Sequence, residues 1–93
     1  MNLEKSHKRI AKQVRKGFQG YPLISITYHG PSDSLATKVV VGFTAEEDAE
    51  MMTETFSTQS DIREDVAVQT TIIKIIDRSG AKSVSMDDGV QPL

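Results

Sequence analysis

Two short alternating apolar runs, joined by a turn-forming linker, constrain this chain more than any other feature. The runs are Pro22–Tyr28 and Leu35–Phe43, and His29-Gly-Pro-Ser-Asp-Ser34 lies between them. In the first, Ile24, Ile26 and Tyr28 fall on one face and Leu23, Ser25 and Thr27 on the other. In the second, Val39, Val41 and Phe43 share a face opposite Lys38, Val40 and Gly42. A period of two with β-branched enrichment marks half-buried strands. Pro31 fixes φ, Gly30 frees it and Asp33 can bond its own backbone, so the linker can turn the chain back into a hairpin. Two strands alone are marginal in water, so other elements must cover the apolar face.

Residues 2–16 read as a helix. Leu3, His7, Ile10, Ala11 and Val14 recur at helical spacing, Lys5, Arg9, Lys12 and Lys16 form a stripe on another face, and Gly17 suits the C′ position. After the hairpin, Thr44-Ala-Glu-Glu47 has the pattern of a capping box, which predicts a helix over about 45–57. Ala45, Ala49, Met52 and Phe56 would form its apolar face, with Glu46, Glu50 and Glu54 on another. Carboxylates at that spacing repel, so their face must meet water or cations.

Residues 61–79 admit two readings. Asp61-Ile-Arg-Glu64 resembles a second capping box, Ile62, Val66, Ile73 and Ile76 line one helical face, and Gly80 is a stop. Nine β-branched residues between Ile62 and Ile76 favour instead a strand over 66–76. The caps, and the excessive length of an eleven-residue strand, favour the helix. Lys82–Met86 is a short strand, and 87–93 reads as a frayed tail with a turn at Asp88-Gly89. The expected fold is a single α+β domain over 1–93, ordered α-β-β-α-α-β, with helices on one face of a small three-stranded sheet; the alternative is α-β-β-α-β-β.

Charge is lopsided along the chain. Residues 1–20 hold six Lys/Arg and one acid, whereas residues 44–65 hold eight acids and one base, although the net charge is only −2. There is no cysteine, which removes disulfides, thiolate nucleophiles and Cys-ligated metals. Apolar runs fall far short of the ~20 residues of a membrane span. The N-terminal segment carries Glu4, Lys5, Lys8 and Arg9 and has no apolar h-region. These features predict a cytoplasmic protein with no membrane partner.

The expected element order resembles that of prokaryotic-type KH domains, an RNA-binding fold. Such domains clamp nucleotides with a GXXG loop between two consecutive helices. The corresponding junction here, Phe56-Ser-Thr-Gln-Ser-Asp61, has no glycine, so the resemblance implies no nucleotide cradle. His7-Lys-Arg-Ile-Ala-Lys12, Gly20-Tyr-Pro-Leu23, Ala36-Thr-Lys-Val-Val-Val41 and Gly80-Ala-Lys-Ser-Val84 together resemble a family of small bacterial proteins of unknown function. Members of that family carry a Cys/His-containing segment after the last strand. It has no counterpart in Asp87–Leu93, so no metal role carries over. The resemblance implies a helix before Gly80 and supplies no activity.

His29, Ser32, Asp33 and Ser34 are neighbours within one turn, where the geometry of a catalytic triad is seldom available. No P-loop or dinucleotide fingerprint occurs, and no metal or other cofactor is expected. The functional expectation is a non-enzymatic protein-interaction or self-associating module. Lys5, Lys8, Arg9, Lys12, Arg15 and Lys16 would meet an acidic partner, and Glu46, Glu50 and Glu54 a basic one. The alternative is an RNA- or DNA-binding accessory protein using the same six cations.

Overall fold

A computed structural model describes residues 2–93. Asn2 opens the first helix by accepting a hydrogen bond from the Lys5 N–H at 2.8 Å, which satisfies one unpaired donor of the first turn. Helix α1 spans Leu3–Arg15 and buries Ser6 and Ile10. Strands β1 (Leu23–His29) and β2 (Lys38–Thr44) form the expected antiparallel hairpin. Ile24 faces Phe43, Ile26 faces Val41 and Tyr28 faces Val39. All of these are buried except Phe43, which is half-buried.

The helix expected over 45–57 is not there. Residues 45–51 form an exposed turn, and Met52–Ser57 is a third strand, β3, antiparallel to β2. The turn is closed by a backbone bond from the Ala49 N–H to the Glu46 C=O at 3.0 Å. The reason lies in what each alternative leaves unpaired. A helix over 45–57 would leave the outer edge of β2 without a backbone partner. A strand gives the outer edge of β2 a hydrogen-bonding partner and sets Phe56 beside Val39. Thr53 and Thr55 also suit a pleated strand.

Asp61 caps a single 3-10 turn, Ile62–Glu64, and Asp65 caps helix α2 (Val66–Ser79) by accepting from the Val68 N–H at 3.0 Å. Gly80 closes α2 in the left-handed region at φ 65°. The eight β-branched residues of α2 cost about 3 kcal/mol in helix propensity. Burying Ile72, Ile73 and Ile76 returns roughly 5–9 kcal/mol, so packing decides for the helix. The buried stripe also holds Gln69, and Val66, expected on it, is exposed.

Strand β4 (Ser83–Met86) runs parallel to β1 on its other side, giving a four-stranded mixed sheet in the order β3-β2-β1-β4. The fold is α+β, as expected. Its order is α-β-β-β-α-β, with four strands where three were expected, and neither sequence-derived order is correct in the middle of the chain. Residues 87–91 continue along β1: Asp87 N–H donates to the Ile26 C=O, Gln91 N–H to the Tyr28 C=O and Gly30 N–H to the Gln91 C=O, at 2.8–3.1 Å. Both helices contribute to one core with Ile24, Ile26, Tyr28, Val39, Val41 and Val84. No helix among the described residues is long and apolar enough to cross a membrane.

Candidate interaction surfaces

The five cations of α1, and Lys16 at its C-cap, are exposed. Lys8 pairs with Glu4 one turn earlier at 3.0 Å, and Arg9 reaches Asp77 of α2 at 3.1 Å. Both pairs are open to solvent, where an ion pair contributes at most about 1 kcal/mol. Among the described residues, Lys5, Lys12, Arg15 and Lys16 make no ion pair.

The acidic residues expected on a helix are divided between two settings. Glu46 and Glu50, with Glu47 and Asp48, occupy the exposed turn between β2 and β3, and Glu54 lies at the middle of β3. None of them pairs with α1 or with any other cation among the described residues. The two oppositely charged segments therefore do not neutralise each other.

Strand β3 is a sheet edge. The Thr58 N–H donates to the Thr37 C=O at 2.8 Å, in the same register as the β2–β3 ladder. In an antiparallel pair, hydrogen-bonded and non-bonded positions alternate. The backbone groups of Met52, Glu54 and Phe56 thus point to β2, and those of Thr53, Thr55 and Ser57 point outward. Register with Phe43, Val41 and Val39 puts the side chains of Met52, Glu54 and Phe56 on the helix-covered face. The helices do not reach that far. Met52 is 69% exposed, and Val41, Phe43, Met52, Thr53, Glu54 and Ile75 line a hollow of about 180 Å³. A second hollow of about 300 Å³ is bounded by Phe43, Ile75, Arg78 and Ser79.

A larger cleft of about 530 Å³ lies beside α1, walled by Ile10, Ala11, Val14 and Met86, with Tyr28 and Gln69 also lining it. Gln69, 1% exposed, donates through Nε2 to the Tyr28 hydroxyl at 3.1 Å and to the Ile62 C=O at 3.2 Å. Burial raises the Tyr28 pKa above its ordinary value, and the bond to Gln69 opposes the rise. His7, read on the apolar side of the first helix, is half-buried, and its Nε2 donates to the Arg63 C=O at 2.6 Å. Arg63 clasps Asp61 through Nε and Nη2, at 2.9 and 2.7 Å. That contact holds the Asp61 carboxyl below the usual range and raises the Arg63 pKa.

The turn cluster does not assemble. His29 Nδ1 lies 3.0 Å from the Pro92 C=O, and Ser32 and Ser34 bond each other. Among the described residues, no three His, Asp or Glu side chains are placed to hold a metal. Gln69 and Ser6 are buried polar residues that sequence reasoning missed. For Gln69 the signal was present: 62, 65/66, 69, 72/73 and 76 is one continuous helical stripe. No protein-family profile matches this chain, and neither curated proteins nor solved structures give a match.

Proposed function

We propose that this chain is a non-enzymatic protein-interaction module acting in the cytoplasm. Charge separation carries the reading: the cations of α1 and the carboxylates of residues 46–54 lie in separate elements and make no ion pair with each other. Opposite charges left unpaired within one chain can meet a complementary partner, and such contacts govern association rate and specificity. The partner can be a second copy, with the α1 stripe of one set against the acidic turn of the other. The lack of cysteine suits a reducing compartment. Light scattering at low and high salt tests self-association, and crosslinking on the full chain tests contact with other proteins. A strict monomer at both salt concentrations, with no crosslinked partner, refutes the proposal.

A second reading is nucleic-acid binding by α1, favoured by the absence of ion pairs at Lys5, Lys12, Arg15 and Lys16. It predicts an RNA or DNA gel shift that weakens steeply with salt and with charge reversal at Arg9 and Lys12. No shift at low salt removes it.

A further inference from the structure

We propose that β3 is a docking strand for an extended segment of a partner protein, one that alternates apolar, basic and apolar side chains on the face it turns toward the helices. The proposal rests on the protein-interaction reading and names the chemistry of the partner.

The edge has unused ladder groups. The N–H and C=O of Thr53, Thr55 and Ser57 point away from β2, so an incoming antiparallel strand finds a row of donors and acceptors. On the helix side its side chains would lie opposite Met52, Glu54 and Phe56. These are the non-hydrogen-bonded positions of the new ladder, where Cα atoms approach to about 4.5 Å and side chains are closest. The exposed Met52 and the hollow formed with Val41, Phe43 and Ile75 offer apolar contact, and methionine adapts its shape to what it meets. On the other face, Thr53, Thr55 and Ser57 ask only for small or polar neighbours.

Glu54 decides between occupants. A second copy pairing β3 to β3 about a two-fold axis must match outward positions with outward positions. Centring the ladder on Glu54 sets it against its own copy. Moving the centre to Thr55 sets it against Phe56, and moving it to Thr53 sets it against Met52. Each arrangement leaves a carboxylate facing an acid or an apolar side chain. A Lys or Arg on the incoming strand removes the conflict. The neighbouring turn adds Glu46, Glu47, Asp48 and Glu50, whose combined field draws a basic segment toward this edge. Opposing charges are Arg78, at the margin of the farther hollow, and Lys38, which lies across from Ser57 on β2.

The test is a titration of the full chain, followed by amide NMR, with the synthetic peptide Thr-Val-Thr-Lys-Thr-Val-Thr. Two companions are its Glu-for-Lys version and a version N-methylated at the two threonines flanking lysine. We expect shifts confined to residues 52–57 and their β2 neighbours, and no binding of the N-methylated peptide. The lysine peptide should bind roughly fivefold tighter than the glutamate peptide, and Glu54→Lys, an exposed change that leaves the fold intact, should reverse that order. Equal affinity of the two charged peptides, or shifts centred on α1 or its cleft, would overturn the inference and leave the broader reading standing. So would a homodimer abolished by Thr55→Pro, because the occupant would then be a second copy. No response to any peptide, together with a strict monomer and no crosslinked partner, overturns both.

Discussion

The Gln69–Tyr28 pair allows a prediction worked from geometry alone. Gln69 is 1% exposed and Tyr28 5%, so each polar atom in the pair depends on protein partners. Gln69→Leu keeps the size of the side chain and removes the donor to the Tyr28 hydroxyl. The Ile62 C=O retains the Asp65 N–H at 3.2 Å, so only the phenol is orphaned. Tyr28→Phe leaves one Gln69 N–H unpaired in the same apolar surroundings. A buried group that loses its partner costs about 1–3 kcal/mol, whereas removing both partners together is nearly neutral. Each single substitution should therefore cost about 1–3 kcal/mol, out of a total stability of roughly 5–14 kcal/mol for a chain of this length. The double variant should cost no more than the worse single, a coupling at least as large as the smaller single cost, about 1–3 kcal/mol. Urea unfolding of the four proteins measures it, with unchanged m-values as the check on a two-state transition. Costs that add to within about 0.5 kcal/mol would show that the two side chains do not depend on each other, and would refute the reasoning.

Three further outcomes follow from other contacts. Ile72→Ala, at a fully buried site on α2, should cost about 2–5 kcal/mol by thermal or urea unfolding, the largest single loss predicted here. Gly80→Ala, where an added Cβ meets nothing within 4 Å, should cost about 1 kcal/mol through backbone strain alone, read from the shift in unfolding midpoint. Stability should also fall at both pH extremes for assignable reasons. Arg63 depresses the folded Asp61 pKa, so its contribution is complete above the unfolded value of about 3.9 and is lost as pH drops through the lower, folded value. Burial raises the folded Tyr28 pKa, so its contribution is complete below about pH 10 and is lost above it. Asp61→Asn should flatten the acid limb and Tyr28→Phe the alkaline limb of a stability–pH curve.

The parts of the fold legible in the sequence are those where one local signal and the core agree. The alternation of Ile24, Ile26 and Tyr28 with Val39 and Val41 matches the buried rows residue for residue. Gly80 stops α2 as read, whereas Asp61, read as the start of that helix, caps only the 3-10 turn, and Asp65 caps α2 itself. The candidate surfaces were legible as charge and not as geometry. The basic stripe of α1 is where spacing put it, but nothing local could show that Arg9 reaches Asp77, 68 residues away. Spacing puts Gln69 on the inward stripe but could not name Tyr28 as its partner, since that bond exists only once α2 lies on the sheet.

Strand β3 was hidden by the residue that most shapes its chemistry. Met52, Glu54 and Phe56 alternate as a strand should, but a carboxylate on the core-side row breaks the apolar pattern by which a strand is recognised. The same carboxylate falls four residues after Glu50 and eight after Glu46, which imitates a helical face. The conflict disappears once β3 is an edge. There the helices no longer cover the row, so Glu54 keeps its water and its charge costs little. An inward-pointing charge on an edge strand also opposes pairing with an identical edge. The feature that defeats a local reading is thus a consequence of where the strand sits, and it biases the edge against its own copy and toward a strand that brings a cation.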